Sequence, residues 1–361
     1  MHFRKSVPAG IFLHVLLFVS VSPADEPPRY RGAMIDQSTF GEESLKVFAD
    51  EWNGNLVRWQ LNFDSPTSEE FFDYLAKACD KFDEMIPLLR KYGVRACLDL
   101  HSEPDGFNED YIMRIFIDER FSNMFVDIWE YLAKRYAGEK VIWGYDLMNE
   151  PVDGIPSAGG YHIAWHDLAE RAARKIREID PEAVIIYEPA NYASPLSAFN
   201  DLEPLGLPNV VYSCHEYDPL AFTHQNVMKD FTEPCVYPGE IGGEYWDKER
   251  LRQSVAHVRA FQLKYGVPIF VGEFSAVRWA PENSAYNYLK DAIEIFEEYG
   301  WDWTYHAFRE SDLWSVEYPS DRNAAVPASE PTDRELLLRR YFEKNVREKQ
   351  TSDDNPLSTE Q

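Results

Sequence analysis

The sequence predicts a single (β/α)8 barrel, an α/β fold, on three observations. Eight short apolar runs recur along the chain, most of them followed by a segment with amphipathic helical periodicity. Strands that alternate with helices pair in parallel through right-handed crossovers. No Gly-rich phosphate loop follows the first run, which argues against the open, doubly wound sheet as the alternative. No linker divides the 361 residues, of which 45% are hydrophobic and 15% aromatic, so one large core is affordable.

In order, the strand-like runs are RGAMID (31–36), NLVRWQL (55–61), VRACLDLH (94–101), VIWGYDLMNE (141–150), AVIIYEP (183–189), VVYSCHEY (210–217), PIFVGEF (268–274) and WDWTYHAF (301–308). Between the second and third, residues 68–93 carry a helical pattern that opens on Ser68 as N-cap and closes on Gly93, which takes positive φ without steric cost. A second helix is expected over 161–180 and a last one over 332–349. The connection from Asp218 to Tyr245 is long for an ordinary loop, and loops of that size are usually functional.

The N-terminus has the anatomy of a secretory signal peptide. Arg4 and Lys5 precede an apolar stretch from Ile11 to Val21, and the small residues Ser22 and Ala24 mark cleavage after position 24. About eleven apolar residues interrupted by His14 fall short of the roughly 20 that span a bilayer. The expected organisation is therefore a leader over 1–24, a catalytic barrel over 25–349 and a polar, disordered tail over 350–361. Export to the extracellular space or periplasm follows from the leader, and no membrane association is expected after cleavage.

Formal net charge is −26, and loss of the basic leader makes the chain more negative still. Such a surface repels phosphate backbones and anionic lipid, so nucleic acid and membrane surfaces are disfavoured as partners. A neutral polysaccharide meets no such barrier. The four cysteines, Cys79, Cys97, Cys214 and Cys235, match no metal-site spacing, and their redox state is left open.

In a barrel of this kind the active site lies at the carboxyl ends of the strands. Those ends carry Arg58 on the second strand, His101 on the third, Asn149 and Glu150 on the fourth, His215 and Tyr217 on the sixth, Glu273 on the seventh and His306 on the eighth. Two carboxyl groups facing each other across a barrel mouth are what glycosidic cleavage needs: one donates a proton to the leaving oxygen, and the other attacks or directs water. Arg58 and the imidazoles are placed to keep Glu273 ionised, Asn149 to donate to a sugar hydroxyl, and Tyr217 to orient the nucleophile.

These residues resemble glycoside hydrolase family 5, the cellulase-like group of retaining (β/α)8 enzymes, over nearly the whole mature chain. The arginine of GNLVRWQL, the histidine of LDLH, the tripeptide Asn149-Glu150-Pro151, the pair His215 and Tyr217, and Glu273 in VGEF match that family's pattern. AFTHQ (221–225) and YPG (237–239) are similar to cleft loops of some members. The resemblance implies Glu150 as acid/base and Glu273 as nucleophile, with Arg58, His101, Asn149, His215, Tyr217, His306 and Trp314 on the substrate. It implies a monomer that cleaves β-linked glucan with neither metal nor organic cofactor; mannan, xyloglucan and exo-acting activities are open alternatives. His306 departs from the family, where a tryptophan is usual, and Trp314 in SDLWSVE is the replacement platform.

Bland readings stand beside these. Glu188 at the end of the fifth strand is expected to be structural or peripheral, and Glu216 to point away from His215 and Tyr217 by strand alternation. Trp59, Trp143 and Trp165 are expected in the core, whereas Trp246 and Trp314 are either sugar platforms or packing. The two glutamates with His101 and His215 are also metal-ligand types, as in sugar isomerases on barrels, although matching aspartate or lysine partners are missing. A carbohydrate-binding barrel without turnover is the remaining class.

Overall fold

The computed structural model describes residues 28–63, 67–157 and 159–348; the leader and the tail from 350 lie outside them. Eight parallel strands close a barrel: β1 (Arg31–Ile35), β2 (Leu56–Leu61), β3 (Arg95–Leu100), β4 (Ile142–Asp146), β5 (Ile185–Tyr187), β6 (Val210–Glu216), β9 (Ile269–Phe274) and β10 (Asp302–Tyr305). The strands β7 (Gly239–Ile241) and β8 (Glu244–Trp246) form a separate antiparallel hairpin inside the long connection after β6. Its turn, Gly242-Gly243, has positive φ at both positions, as a tight two-residue hairpin requires. β9 and β10 are thus the seventh and eighth barrel strands, and each of the eight predicted runs contains one.

The strands are buried almost throughout, because helices cover the outside and side chains fill the inside. The lowest interior layer is apolar, made of Leu56, Cys97, Ile186, Val211 and Phe270, with Trp143 packed edge-on against Phe270. Stepping two residues along β2, β3 and β5 from that layer leads to Arg58, Asp99 and Glu188, all fully buried. The barrel interior therefore changes from apolar to charged within one pleat. Trp59 and Trp165 are fully buried, as expected.

Helix ends differ from expectation where backbone or remote side chains take over the capping. The first long helix runs Phe71–Tyr92 and receives no side-chain cap: Ser68 lies within a turn closed by Glu70 N–H on the Thr67 carbonyl. Gly93 does terminate it, at φ 68°. The next predicted helix starts at Trp165, whose N–H donates to Asp153 from the loop after β4. The last helix, Asp333–Phe342, opens on the Thr332 hydroxyl and stops early. The chain beyond it closes the bottom of the barrel, with Asn345 donating to the Arg31 and Asn53 carbonyls.

Cys79, Cys97 and Cys214 are buried and Cys235 half-buried, all as free thiols. Among the described residues no helix is long and apolar enough to cross a membrane.

Candidate active site

A cavity of about 620 Å³ opens at the carboxyl ends of the strands, within the range of small-ligand sites. Its wall includes His101, Asn149, Glu150, His215, Tyr217, Glu273, His306 and Trp314. Arg58 does not reach it. That arginine, expected on the substrate, lies fully buried one layer below. There Nε pairs with Asp146 at 2.9 Å and Nη1 with Glu273 at 2.7 Å, while Nη2 serves Glu188 at 2.8 Å, Asp99 at 3.1 Å and the Asn149 side-chain Oδ1 at 3.1 Å. With its oxygen held by Arg58, Asn149 has its amide N–H groups free for the cavity.

One guanidinium faces four carboxyl groups, so the layer cannot keep every acid ionised. Burial pushes the Asp146 carboxyl well above the usual range, and the neighbouring Glu188 charge adds to this against the pull of Arg58. The Glu188 carboxyl goes the other way: burial opposes its ionisation, but His215, Arg58 and the Glu150 N–H hold it below its ordinary value. Glu188 is thus structural, as expected, yet central rather than peripheral. It accepts from the Glu150 backbone N–H at 2.8 Å and lies 3.0 Å from His215 Nε2.

Glu273 reaches the cavity through an irregularity in its strand. The register shifts so that Cys214 pairs with Val271 and His215 with Glu273, leaving Gly272 as an extra residue on β9. Strict alternation from the interior Phe270 would turn Glu273 outward. The bulge turns it in. A Cβ at Gly272 would lie 2.8 Å from both His215 Nε2 and Ser213 Oγ, which explains the glycine.

One Glu273 oxygen accepts from Arg58, and the other accepts from the Tyr217 hydroxyl at 2.8 Å. Burial works against ionisation of Glu273, but the charges of His215, His306, Arg58 and His101 outweigh it and hold the carboxyl well below the usual range. Tyr217 in turn touches His306 Nδ1, and His306 Nε2 lies 3.5 Å from Glu310. The His306 imidazole is disfavoured as a cation by burial but held above its ordinary value by Glu273 and Glu310. His101 is raised similarly: burial is overcome by Asp99, which bonds its Nδ1 at 2.8 Å.

Glu150 occupies a strained place. Its φ is 44°, a left-handed conformation that costs on the order of 1–3 kcal/mol in a residue with a side chain. Its carboxylate meets His215 Nδ1 at 2.9 Å. Glu150, His215 and Glu273 each offer a ligating atom, all within 4.8 Å of one another. Both nitrogens of His215 face carboxylates, however, and Glu188 and Glu273 raise its affinity for a proton well above normal despite burial.

The rim resolves the other expectations. Trp314, 8% exposed, packs against His224, His306 and Tyr217 while lining the cavity, held by a loop that Arg278 ties through the Asp312, Pro319 and Ala324 carbonyls. Trp246 is buried under Arg250 and belongs to packing. In AFTHQ, His224 reaches the cavity, with its imidazole pushed down to about 4 by burial and by the charge of His306. Tyr237 of YPG is instead buried among Phe222 and Tyr288. Glu216 points to the helix layer, where Ser254 and the Asp218 N–H meet it.

Sequence reasoning missed Gln60, Glu310, Tyr111 and Tyr192, all on the cavity wall. Gln60 was within reach, two residues beyond Arg58 on the same face of β2. The other three sit on irregular loops with no periodic signal.

The profile of "Cellulase (glycosyl hydrolase family 5)" matches residues 26–312. Endoglucanase C of Acetivibrio thermocellus is 27% identical over 312 residues, covering 76% of this chain and 89% of that protein. Cellodextrinase A of Ruminococcus flavefaciens is 24% identical over 269 residues, covering 72% and 75%. The crystal structure of a glycoside hydrolase superposes with a TM-score of 0.68 at 24% identity, over 88% of this chain and 100% of that one. With the barrel, the paired glutamates and the family match together, the chain belongs to the cellulase family of glycoside hydrolases, glycosyl hydrolase family 5.

Proposed function

We propose that this glycoside hydrolase cuts β-1,4-linked glucan internally by double displacement, as an exported, monomeric, single-domain enzyme. The observation that carries the reading is the approach of a Glu150 oxygen and a Glu273 oxygen to within 4.8 Å. Retaining glycosidases hold their carboxyl groups about 5–5.5 Å apart, whereas inverting ones leave about 6.5–9.5 Å for a water. The endoglucanase and cellodextrinase relatives support β-glucan as the substrate class.

In the first step the ionised Glu273 attacks the anomeric carbon. The bond to the leaving oxygen breaks, and that oxygen takes the proton of Glu150. Water then gives a proton to Glu150 while its oxygen attacks the same carbon, and the bond to Glu273 breaks. Arg58 and Tyr217 position Glu273, and His215 positions Glu150. Asn149, His101, His306 and Trp314 border the sugar.

Proton NMR of cello-oligosaccharide cleavage should show the β-anomer first; α-product first would overturn double displacement. The two roles separate with azide. Glu150→Ala should release phenol from an activated aryl glycoside in a burst and yield the β-glycosyl azide, whereas Glu273→Ala should yield at most the α-azide. Product sizes from cellulose, mannan and xyloglucan decide the substrate.

A further inference from the structure

The Tyr217 hydroxyl has one proton and two neighbours able to accept it. Glu273 Oε2 lies 2.8 Å from the phenol oxygen, and His306 Nδ1 touches the same oxygen. Burial and the Glu273 and Glu150 carboxylates hold the phenol well above its ordinary value, so the proton stays on oxygen. A single O–H donates once. It serves Glu273 while His306 Nδ1 carries a proton and donates to the phenol oxygen. A bare Nδ1 lone pair would compete for it.

The far side of the imidazole decides which nitrogen becomes bare. His306 Nε2 faces Glu310 Oε1 at 3.5 Å. Glu310 is itself held in place, because the buried Gln60 amide donates to Glu310 Oε2 at 2.9 Å and to the Ile35 carbonyl at 3.2 Å. Glu273 also lies near the ring, 3.4 Å from Nδ1, but it has Arg58 as its cation. Among the described residues no arginine or lysine pairs with Glu310. A neutral imidazole keeps one proton, and the carboxylate without another cation favours it on Nε2. The first proton lost is then the one on Nδ1.

The remaining groups around His306 set when that happens. Burial disfavours the imidazolium, Glu273 and Glu310 favour it, and His101 opposes it; the balance holds the ring above its ordinary value. His224, pushed down to about 4 by burial and by His306, adds no charge at neutral pH.

We infer that Glu310 is a positioning residue for the nucleophile: acting through His306, it decides whether the Tyr217 hydroxyl points to Glu273 or away from it. The inference rests on Glu273 as the proposed nucleophile. When the Nδ1 proton passes to solvent, Nδ1 accepts the Tyr217 O–H and the hydrogen bond from that hydroxyl to Glu273 breaks. Phenol lone pairs then face the carboxylate, and attack slows. Formation of the glycosyl-enzyme thus has a basic limb of its own, independent of Glu150, and Glu310 keeps it at higher pH. A tryptophan at position 306 would have no titrating nitrogen, so this control comes with the histidine.

The test uses the full-length enzyme and 2,4-dinitrophenyl β-cellobioside, whose phenol leaves without a proton from Glu150. The rate of the phenol burst is followed from about pH 5 to about pH 9. In wild type it should fall about tenfold on the basic side. Glu310→Gln should move that limb down by about one pH unit with substrate affinity little changed. Glu310→Asp keeps the charge and should return the limb toward its wild-type position, and His306→Phe should abolish it. Nitrogen-15 NMR of histidine-labelled wild type, with His306 assigned by its absence in His306→Phe, should show the neutral ring protonated on Nε2. A wild-type burst with no basic limb, a limb unmoved in Glu310→Gln, or a neutral ring protonated on Nδ1 would overturn the inference. Weaker substrate binding in Glu310→Gln with the limb in place would make Glu310 a sugar contact instead. No burst in wild type would overturn the role of Glu273, and this inference with it.

Discussion

Arg58 Nη1 lies 2.7 Å from Glu273 Oε1, and the same guanidinium bonds Asp146, Glu188 and Asn149. The planar fork of arginine serves several acceptors at once, which a lysine ammonium does not. Arg58→Lys should therefore lower kcat/KM by roughly 10–100-fold with a modest loss of stability. Arg58→Met strands buried carboxylates without their cation and should destabilise the fold by about 3–5 kcal/mol, measured by denaturant unfolding.

The pH profile carries a sign for each partner. Glu273 is held below the ordinary carboxylate range, so its contribution to stability is complete above that range and is lost only as pH falls through the depressed folded value. His215 is raised, so its contribution is complete below about 6.5 and is lost as pH rises through the elevated folded value. The acidic limb of kcat/KM should accordingly lie below about pH 4.3. His306→Phe removes one of the charges favouring ionised Glu273 and should move that limb upward; an unmoved limb would count against the assignment.

Gly272→Ala tests the bulge. The new methyl group meets His215 Nε2 and Ser213 Oγ at 2.8 Å, neither free to withdraw from a packed interior. A cost of about 1–3 kcal/mol in stability is expected, with activity largely lost because His215 shifts from Glu150. Gly144→Ala supplies the contrast. Its methyl meets the flexible Cδ1 of Ile186 at 2.9 Å and should be tolerated better on both measures.

Glu188→Gln keeps the shape of the side chain and removes one charge from beneath Arg58 and His215. An amide oxygen still accepts the Glu150 N–H, so the backbone should hold. Loss of about 10–100-fold in kcat with little change in KM is expected, since Glu188 touches no substrate. A rise in KM alone would place Glu188 on the sugar instead.

The residues of the candidate site were legible because polar side chains at the carboxyl ends of barrel strands converge on one mouth. His101, Asn149, Glu150, His215, Tyr217 and Glu273, all read from strand ends, line the cavity. Arg58 was found too, but alternation says nothing of depth, and its side chain turns down to four acids instead of up to the sugar. Glu273 was placed correctly only because sequence position tolerates an extra residue that pairing does not; the Gly272 bulge has no signature beyond the glycine. Ser68 and Trp246 were misjudged or left open, since a turn closed by backbone and a tryptophan covered by Arg250 depend on contacts distant from any local pattern. Glu310, Tyr111 and Tyr192 sit where the chain obeys no period at all.

The charged layer around Arg58 also divides the molecule into a part that must be inherited whole and a part that is free to drift. Glu150 leans on His215 and Glu188, His215 on Glu188, and Glu188 and Glu273 on Arg58, so one loss propagates to all and a second adds little. The loops bearing Tyr111, Tyr192, Trp314 and His224 touch this assembly only at its upper edge. Rim residues can therefore be exchanged singly while the charged assembly beneath stays constant, an arrangement that makes the scaffold easy to respecialise and hard to repurpose.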